Sequence, residues 1–119
     1  MAEGLKTITY PVKDLARAKT LFGALLGVEP YVDEAYYVGF RAPGRPEVGL
    51  DPHGHAKGLT GPVPYWHVAD IRSSLAALVD AGAEVVQDVQ DVGGGLLIAS
   101  VKDADGNDVG LAQEASSTR

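Results

Sequence analysis

The sequence contains no cysteine, which removes disulfide staples, thiolate nucleophiles and thiolate metal sites from consideration. No stretch approaches the roughly 20 consecutive apolar residues of a membrane-crossing helix. The start lacks a basic segment followed by a long apolar run, so no secretory signal is read there and a soluble, cytoplasmic protein is expected. Basic residues are few: 10 Lys and Arg stand against 16 Asp and Glu, giving a net charge of -6. They are also scattered, and nucleic-acid binding draws its affinity from clustered cations, so neither a nucleic acid nor a membrane is expected as a partner. A neutral or cationic small molecule suits this charge better. No low-complexity tract dilutes the apolar pattern, and 119 residues are enough for one domain but not for two independent ones. Only Met1 to Gly4 and the tail 114–119 lack periodic apolar positions and read as loose ends.

What is present is nearly the same statement made twice. Thr7-Ile8-Thr9-Tyr10-Pro11-Val12 is β-branched and aromatic, and at Lys13-Asp14-Leu15 the period changes from two to about 3.6. Asp14 is a helix N-cap, Leu15, Ala18, Phe22 and Leu25 share one helical face, and Gly27 suits a left-handed ending. Three short strand-like runs follow, around Glu29 to Val32, Ala35 to Arg41 and Glu47 to Asp51. Turns at Asp33-Glu34 and at Pro43 to Pro46 separate them. The order then repeats. Val63 to Val68 reads as a strand, Asp70 as an N-cap, and Ile71, Leu75, Leu78 and Ala81 as a helical face closed by Gly82. Strand-like runs near Ala83 to Asp88, Gly95 to Val101 and Asn107 to Gln113 complete the second copy. Val48-Gly49-Leu50 even recurs as Val109-Gly110-Leu111.

The fold class expected is therefore α+β, with two tandem βαβββ modules whose curled mixed sheets surround a cavity, helices outside. Module one covers about residues 5–52, a Gly- and His-rich linker 53–61, and module two about 62–113, within one domain.

Both openings, Ile8-x-Tyr10-x-Val12-x-Asp14-Leu15 and Tyr65-Trp66-His67-Val68-x-Asp70-Ile71, resemble module starts of the vicinal-oxygen-chelate superfamily of glyoxalases, bleomycin-resistance proteins and extradiol dioxygenases. The closing hairpin, from Asp91-Val92-Gly93-Gly94-Gly95 through Asp103-Ala104-Asp105-Gly106-Asn107 to Gly110-Leu111-Ala112-Gln113, resembles the family's ending. The resemblance spans nearly the whole chain. It implies a homodimer, and it implies metal donors near the start of each module's first strand and in each module's last strand. Here those positions are Thr7 and Val63, and Gly49 and Gly110. None is a His or a carboxylate, so no metal and no cofactor are expected, and the sequence is similar to the metal-free branch.

Alternation from Val63 sets Tyr65 and His67 on the cavity side. His67 could contact a ligand or serve as an acid or base, or its imidazole could simply be satisfied by neighbouring groups. His53 and His55 lie in the linker with no third donor nearby and read as surface residues. Only one of Tyr36 and Tyr37 can face inward; Tyr36 is taken, with Phe40 on its face, as a stacking surface for a flat ligand. Asp51 offers one carboxylate. The ligand-binding candidates are thus His67, Tyr65, Thr7, Thr9, Tyr36, Phe40 and Asp51, and no catalytic residue stands out. Asp103-x-Asp105-x-Asn107 only imitates a calcium loop, since Asp108 stands where that loop needs Gly, and Gly93-Gly94-Gly95 lacks the helix a phosphate cradle requires. The function expected is a small-molecule-binding protein that sequesters a drug or metabolite. The alternative is a superfamily enzyme, a lyase, isomerase or dioxygenase, acting on a small oxygenated substrate.

Overall fold

The computed structural model describes residues 2–115; of the expected loose ends, Met1 and 116–119 lie outside the described residues. The chain forms two compact units. One is Thr7–Val63; the other joins residues 64–115 with residues 2–6. Each carries the βαβββ order read from the sequence, and the fold is mixed α+β.

In the first unit, strand β1 (Ala2–Pro11, of which residues 7–11 belong here) leads into helix α1 (Leu15–Leu26). Strands β2 (Val32–Glu34), β3 (Tyr37–Phe40) and β4 (Glu47–Asp51) follow. Their order is β2-β3-β4-β1, with β1 parallel to β4 and the other pairs antiparallel. Asp14 caps α1 by accepting the Arg17 N–H at 3.0 Å, and Gly27, at φ 71°, ends it in the left-handed conformation that glycine adopts without a Cβ penalty. The apolar side of α1 lies on Val38, Phe40 and Leu50, with Tyr10, Val12, Leu15, Ala18 and Phe22 packed around them. Tyr10 and Phe22 stack with ring centroids 4.7 Å apart.

The second unit repeats the arrangement with strand β5 (Val63–Val68, of which residues 64–68 belong here), helix α2 (Ile71–Asp80), and strands β6 (Glu84–Asp91), β7 (Leu97–Lys102) and β8 (Asp108–Gln113). The order is β5-β8-β7-β6, again with one parallel pair, β5 with β8. Asp70 caps α2 by accepting the Ser73 N–H at 3.2 Å. The neighbouring Ile71 N–H donates instead to Gln113 Oε1 at 2.8 Å, fastening the helix start to the end of β8. Under α2 the core is Val68, Ile71, Leu75, Ala99, Val101 and Leu111.

Two local expectations are corrected. Ala2 to Gly4 are not a loose end but the beginning of β1. Asp33 and Glu34 belong to β2, and the turn falls later, at Ala35 and Tyr36. The cause is the Tyr31 N–H, which donates to the Gly39 carbonyl at 2.8 Å and sets the pairing of Val32 with Gly39 and Glu34 with Tyr37. An edge strand tolerates such charged side chains. Gly82 closes α2 as read: it follows the cap residue Ala81 at φ 109°, its N–H donates to the Val79 carbonyl at 3.0 Å, and the Ala83 N–H donates to the Leu78 carbonyl at 2.9 Å.

The Gly- and His-rich stretch after β4 is pinned at several points. A 3-10 turn covers His55–Lys57, Leu59 is buried, and Gly54 sits so close to Pro11 that a Cβ there would collide with it. No helix among the described residues is long and apolar enough to cross a membrane.

Candidate functional site

In each unit one sheet face lies on its helix, and the side chains that can carry function project from the other. Strand pleating assigns them. In the first unit Val38, Phe40 and Leu50 face α1, so their neighbours Tyr37, Gly39, Gly49 and Asp51 project away from it, in register with Thr7 and Thr9 of β1. In the second, Val68, Ala99, Val101 and Leu111 face α2, so Tyr65, His67, Ile98, Ser100, Gly110 and Ala112 share the opposite face.

Thr7, Thr9 and Asp51 are all buried on the expected face. The Asp51 carboxylate is already engaged: Oδ1 accepts the His53 N–H at 2.8 Å and Oδ2 pairs with Lys57 Nζ at 2.9 Å. Its role is to anchor the turn after β4. Two candidates are displaced. Phe40, 1% exposed, is a core residue under α1 and not part of a stacking surface. Tyr36, 65% exposed, lies in the turn ahead of β3. Starting the strand at Tyr37 puts Tyr37 itself on the face away from α1, where its hydroxyl end lies over Gly49.

Sequence reasoning also missed Tyr31. It stands beside Gly39 on the same face as Tyr37; its hydroxyl donates to Glu47 Oε1 at 2.8 Å and its ring carries the Arg41 guanidinium 4.1 Å from the centroid. The available signal was the glycine pair. Gly39 and Gly49 are direct partners across β3 and β4, and two facing glycines leave a slot that rings can fill.

In the second unit Tyr65 is buried and its ring lies against its strand partner Gly110. His67 is half-buried. Its Nδ1 is 3.9 Å from Glu114 Oε2, beyond hydrogen-bond range, and the same oxygen pairs with Lys6 Nζ at 2.9 Å. Lys102 Nζ pairs with the buried Asp108 carboxylate at 2.6 Å on this face, an interaction the sequence reading also missed. Asp103 behaves as the hairpin reading requires. It accepts from the N–H groups of Asp105 and Asn107 and from Asn107 Nδ2. Those bonds, led by the Asn107 side chain, hold its carboxyl below the ordinary value of 3.8.

The four positions where a metal donor is implied do not fit an ion. Val63 has no donor atom and Thr7 has only a neutral hydroxyl. A Cβ at Gly49 would stand 2.7 Å from Tyr37 Cζ, and one at Gly110 would stand 2.7 Å from Tyr65 Cγ, so a carboxylate side chain at either place would require the tyrosine to move first. Among the described residues no three His, Asp or Glu side chains gather as a metal-holding group.

No family model matches the sequence, and no curated protein matches it. Solved structures do. A glyoxalase/bleomycin resistance protein/dioxygenase superfamily member from Vibrio splendidus 12B01 superposes with a TM-score of 0.70 at 16% identity, covering 92% of this chain and 99% of that one. Methylmalonyl-CoA epimerase from Mycobacterium tuberculosis gives 0.65 at 18% identity, covering 96% and 89%. The NAD-dependent benzaldehyde dehydrogenase from Legionella pneumophila gives 0.72 at 14%, covering 91% and 97%. The chain has the vicinal-oxygen-chelate fold. The solved proteins that share it include enzymes as well as a superfamily member described only by its family. In this chain a tyrosine side chain lies against the last-strand glycine of each module, Tyr37 against Gly49 and Tyr65 against Gly110.

Proposed function

We propose that this chain is a small-molecule-binding protein of the glyoxalase and bleomycin-resistance kind that works without the fold's usual metal. It acts in the cytoplasm as a homodimer and sequesters a flat drug or metabolite. The observation that carries the reading is the filling of the last-strand positions. Where a carboxylate donor would stand, the hydroxyl end of Tyr37 covers Gly49 and the Tyr65 ring covers Gly110, so tyrosine side chains occupy the space of an ion-binding group. The two faces carry buried hydroxyls at Thr7, Thr9 and Ser100 among aromatic and small apolar residues, a lining that suits an uncharged or weakly cationic guest. In support of pairing, Leu21 and Leu25 are more than half exposed on α1, an apolar surface that a second copy would cover.

A thermal-shift panel of aromatic drugs, glutathione conjugates and polyketide-like aromatics tests the binding reading. A guest at about 100 times its dissociation constant stabilises the fold by roughly 2.7 kcal/mol, a shift of several degrees for a protein of this size. A panel in which only divalent metals raise the melting temperature would contradict it. Light scattering at micromolar concentration tests the pairing, and a monomer would contradict it.

The second reading, a superfamily enzyme acting on a small oxygenated substrate, draws support from the fold shared with methylmalonyl-CoA epimerases and from His67 standing near Glu114. For that reading His67→Ala must abolish turnover while leaving binding in place. For the binding reading it weakens binding more than His53→Ala or His55→Ala does.

A further inference from the structure

Among the described residues one buried side-chain polar atom has no hydrogen-bond partner, the Ser100 hydroxyl on β7. Ser100 is wholly inaccessible. A serine hydroxyl can both donate and accept, and leaving it unpaired in the interior is costly, which is why such groups point to a strained, functional or liganded position. Its neighbours along the strand, Ala99 and Val101, lie in the core under α2, so Ser100 projects to the opposite face. There it forms a row with Gly110 and Tyr65, each directly paired with the next across β7, β8 and β5. The adjacent row is Ile98, Ala112 and His67. The centre of this face has almost no side-chain bulk, because it consists of Gly110 and Ala112, and the Tyr65 ring occupies the space that Gly110 leaves.

We propose that the Ser100 hydroxyl is the polar anchor of a guest on this face, and that the guest is a small planar aromatic molecule carrying a carbonyl oxygen. The inference rests on the small-molecule-binding reading and names the ligand class for it. The guest displaces the Tyr65 ring from Gly110, stacks against it, and rests its flat body on Gly110 and Ala112. Its carbonyl oxygen accepts the hydrogen bond that Ser100 has no other group to receive. Neither row holds a carboxylate or an ammonium group, and in the row beyond Ser100 and Gly110 the Lys102 ammonium and the Asp108 carboxylate are paired with each other at 2.6 Å, an environment that suits a neutral guest. The comparable position in the first unit is Gly39, partner of Gly49, which has no hydroxyl to offer. The anchor therefore belongs to the second unit alone.

The test is Ser100→Ala, with acetophenone as the probe and ethylbenzene, which lacks the oxygen, as its control. Binding is followed by amide chemical shifts of the full chain. An unpaired hydroxyl kept for a guest predicts that the variant melts a few degrees higher than the parent. It predicts that acetophenone binds the variant roughly tenfold more weakly and that ethylbenzene binds both alike. A lower melting temperature would show that the hydroxyl holds a structural partner, and overturns the proposal whatever binds. Equal acetophenone affinity in parent and variant overturns the anchor while leaving the small-molecule reading intact. Failure of acetophenone to bind the parent overturns the proposed ligand class, and the thermal-shift panel then decides the broader reading separately.

Discussion

The two modules solve the same problem with different residues. In each, the last strand carries a glycine at the position where the fold's metal-binding members are implied to place a donor, and in each a tyrosine fills the space above it. In the first module the tyrosine comes from the third strand, and it is the hydroxyl end of Tyr37 that reaches Gly49. In the second it comes from the first strand, and the body of the Tyr65 ring lies on Gly110. Counting back from the capping aspartates, Thr9 stands where the second module has Tyr65. Through the strand registers, Ile98 stands where the first has Tyr37. The backbone pattern is duplicated, while the packing that fills it was reached twice by separate routes. The shared result is a tyrosine side chain over each last-strand glycine, met by its hydroxyl end in the first module and by its ring in the second.

The comparison is broken most severely at the cores. Phe40→Ala, in the first module, should cost about 3–5 kcal/mol, and Ile71→Ala, in the second, about 2–5 kcal/mol, both measured by denaturant unfolding. Tyr36→Ala should leave stability within about 0.5 kcal/mol because its side chain is exposed in a turn. A loss at Tyr36 equal to that at Phe40 would reverse the strand register described above. Next in size is the glycine pair. Gly110→Ala collides with the ring near its attachment point and should cost about 2–3 kcal/mol, whereas at Gly49 only the far end of Tyr37 must swing aside, at a cost of about 1 kcal/mol or less. Equal losses would mean that the two tyrosines are packed alike.

Smaller effects are expected where the modules agree. Asp14→Ala and Asp70→Ala each remove one N-cap hydrogen bond of the same type and should each cost about 1 kcal/mol. The smallest effect distinguishes the modules again, because only the second closes with a turn organised by Asp103. The Asp103 carboxyl lies below its ordinary value, led by the Asn107 side-chain bond. A depressed value in the folded chain means that its stabilising contribution is complete above the ordinary carboxylate range and fades as the pH falls through the folded value. In Asn107→Ala the carboxyl titration followed by NMR should move up toward 3.8; an unmoved midpoint would contradict the assignment.

Much of the fold was legible because it rests on signals that act locally. Asp14 and Asp70 announce helix starts through their own backbone bonds, Gly27 announces an end through its φ, and the Asp103 to Asn107 turn is closed by side chains within it. The second strand was misplaced because its position depends on a bond from Tyr31 to Gly39, a partner outside the segment. That error carried into the candidate site. Tyr36 was kept within the strand and Phe40 followed it to the wrong face, since in a pleated strand one position decides which side a residue takes. Tyr65 and His67 lie on the face away from α2 because the helix-facing Val68 fixes the phase of β5, and that phase is legible in the sequence. Asp51 was visible as a carboxylate, but not its engagement by His53 and Lys57. The unpaired state of Ser100 was beyond reach of the sequence, because it depends on which groups three separate strands fail to supply.

The central claim is that tyrosine packing over Gly49 and Gly110 has taken the place of a metal site. Elemental analysis of protein purified without an affinity tag tests it most directly. The account predicts far less than one equivalent of any divalent metal per chain, with melting temperature unchanged by chelator. One tightly held ion per chain, lost on chelation together with stability or activity, would contradict it.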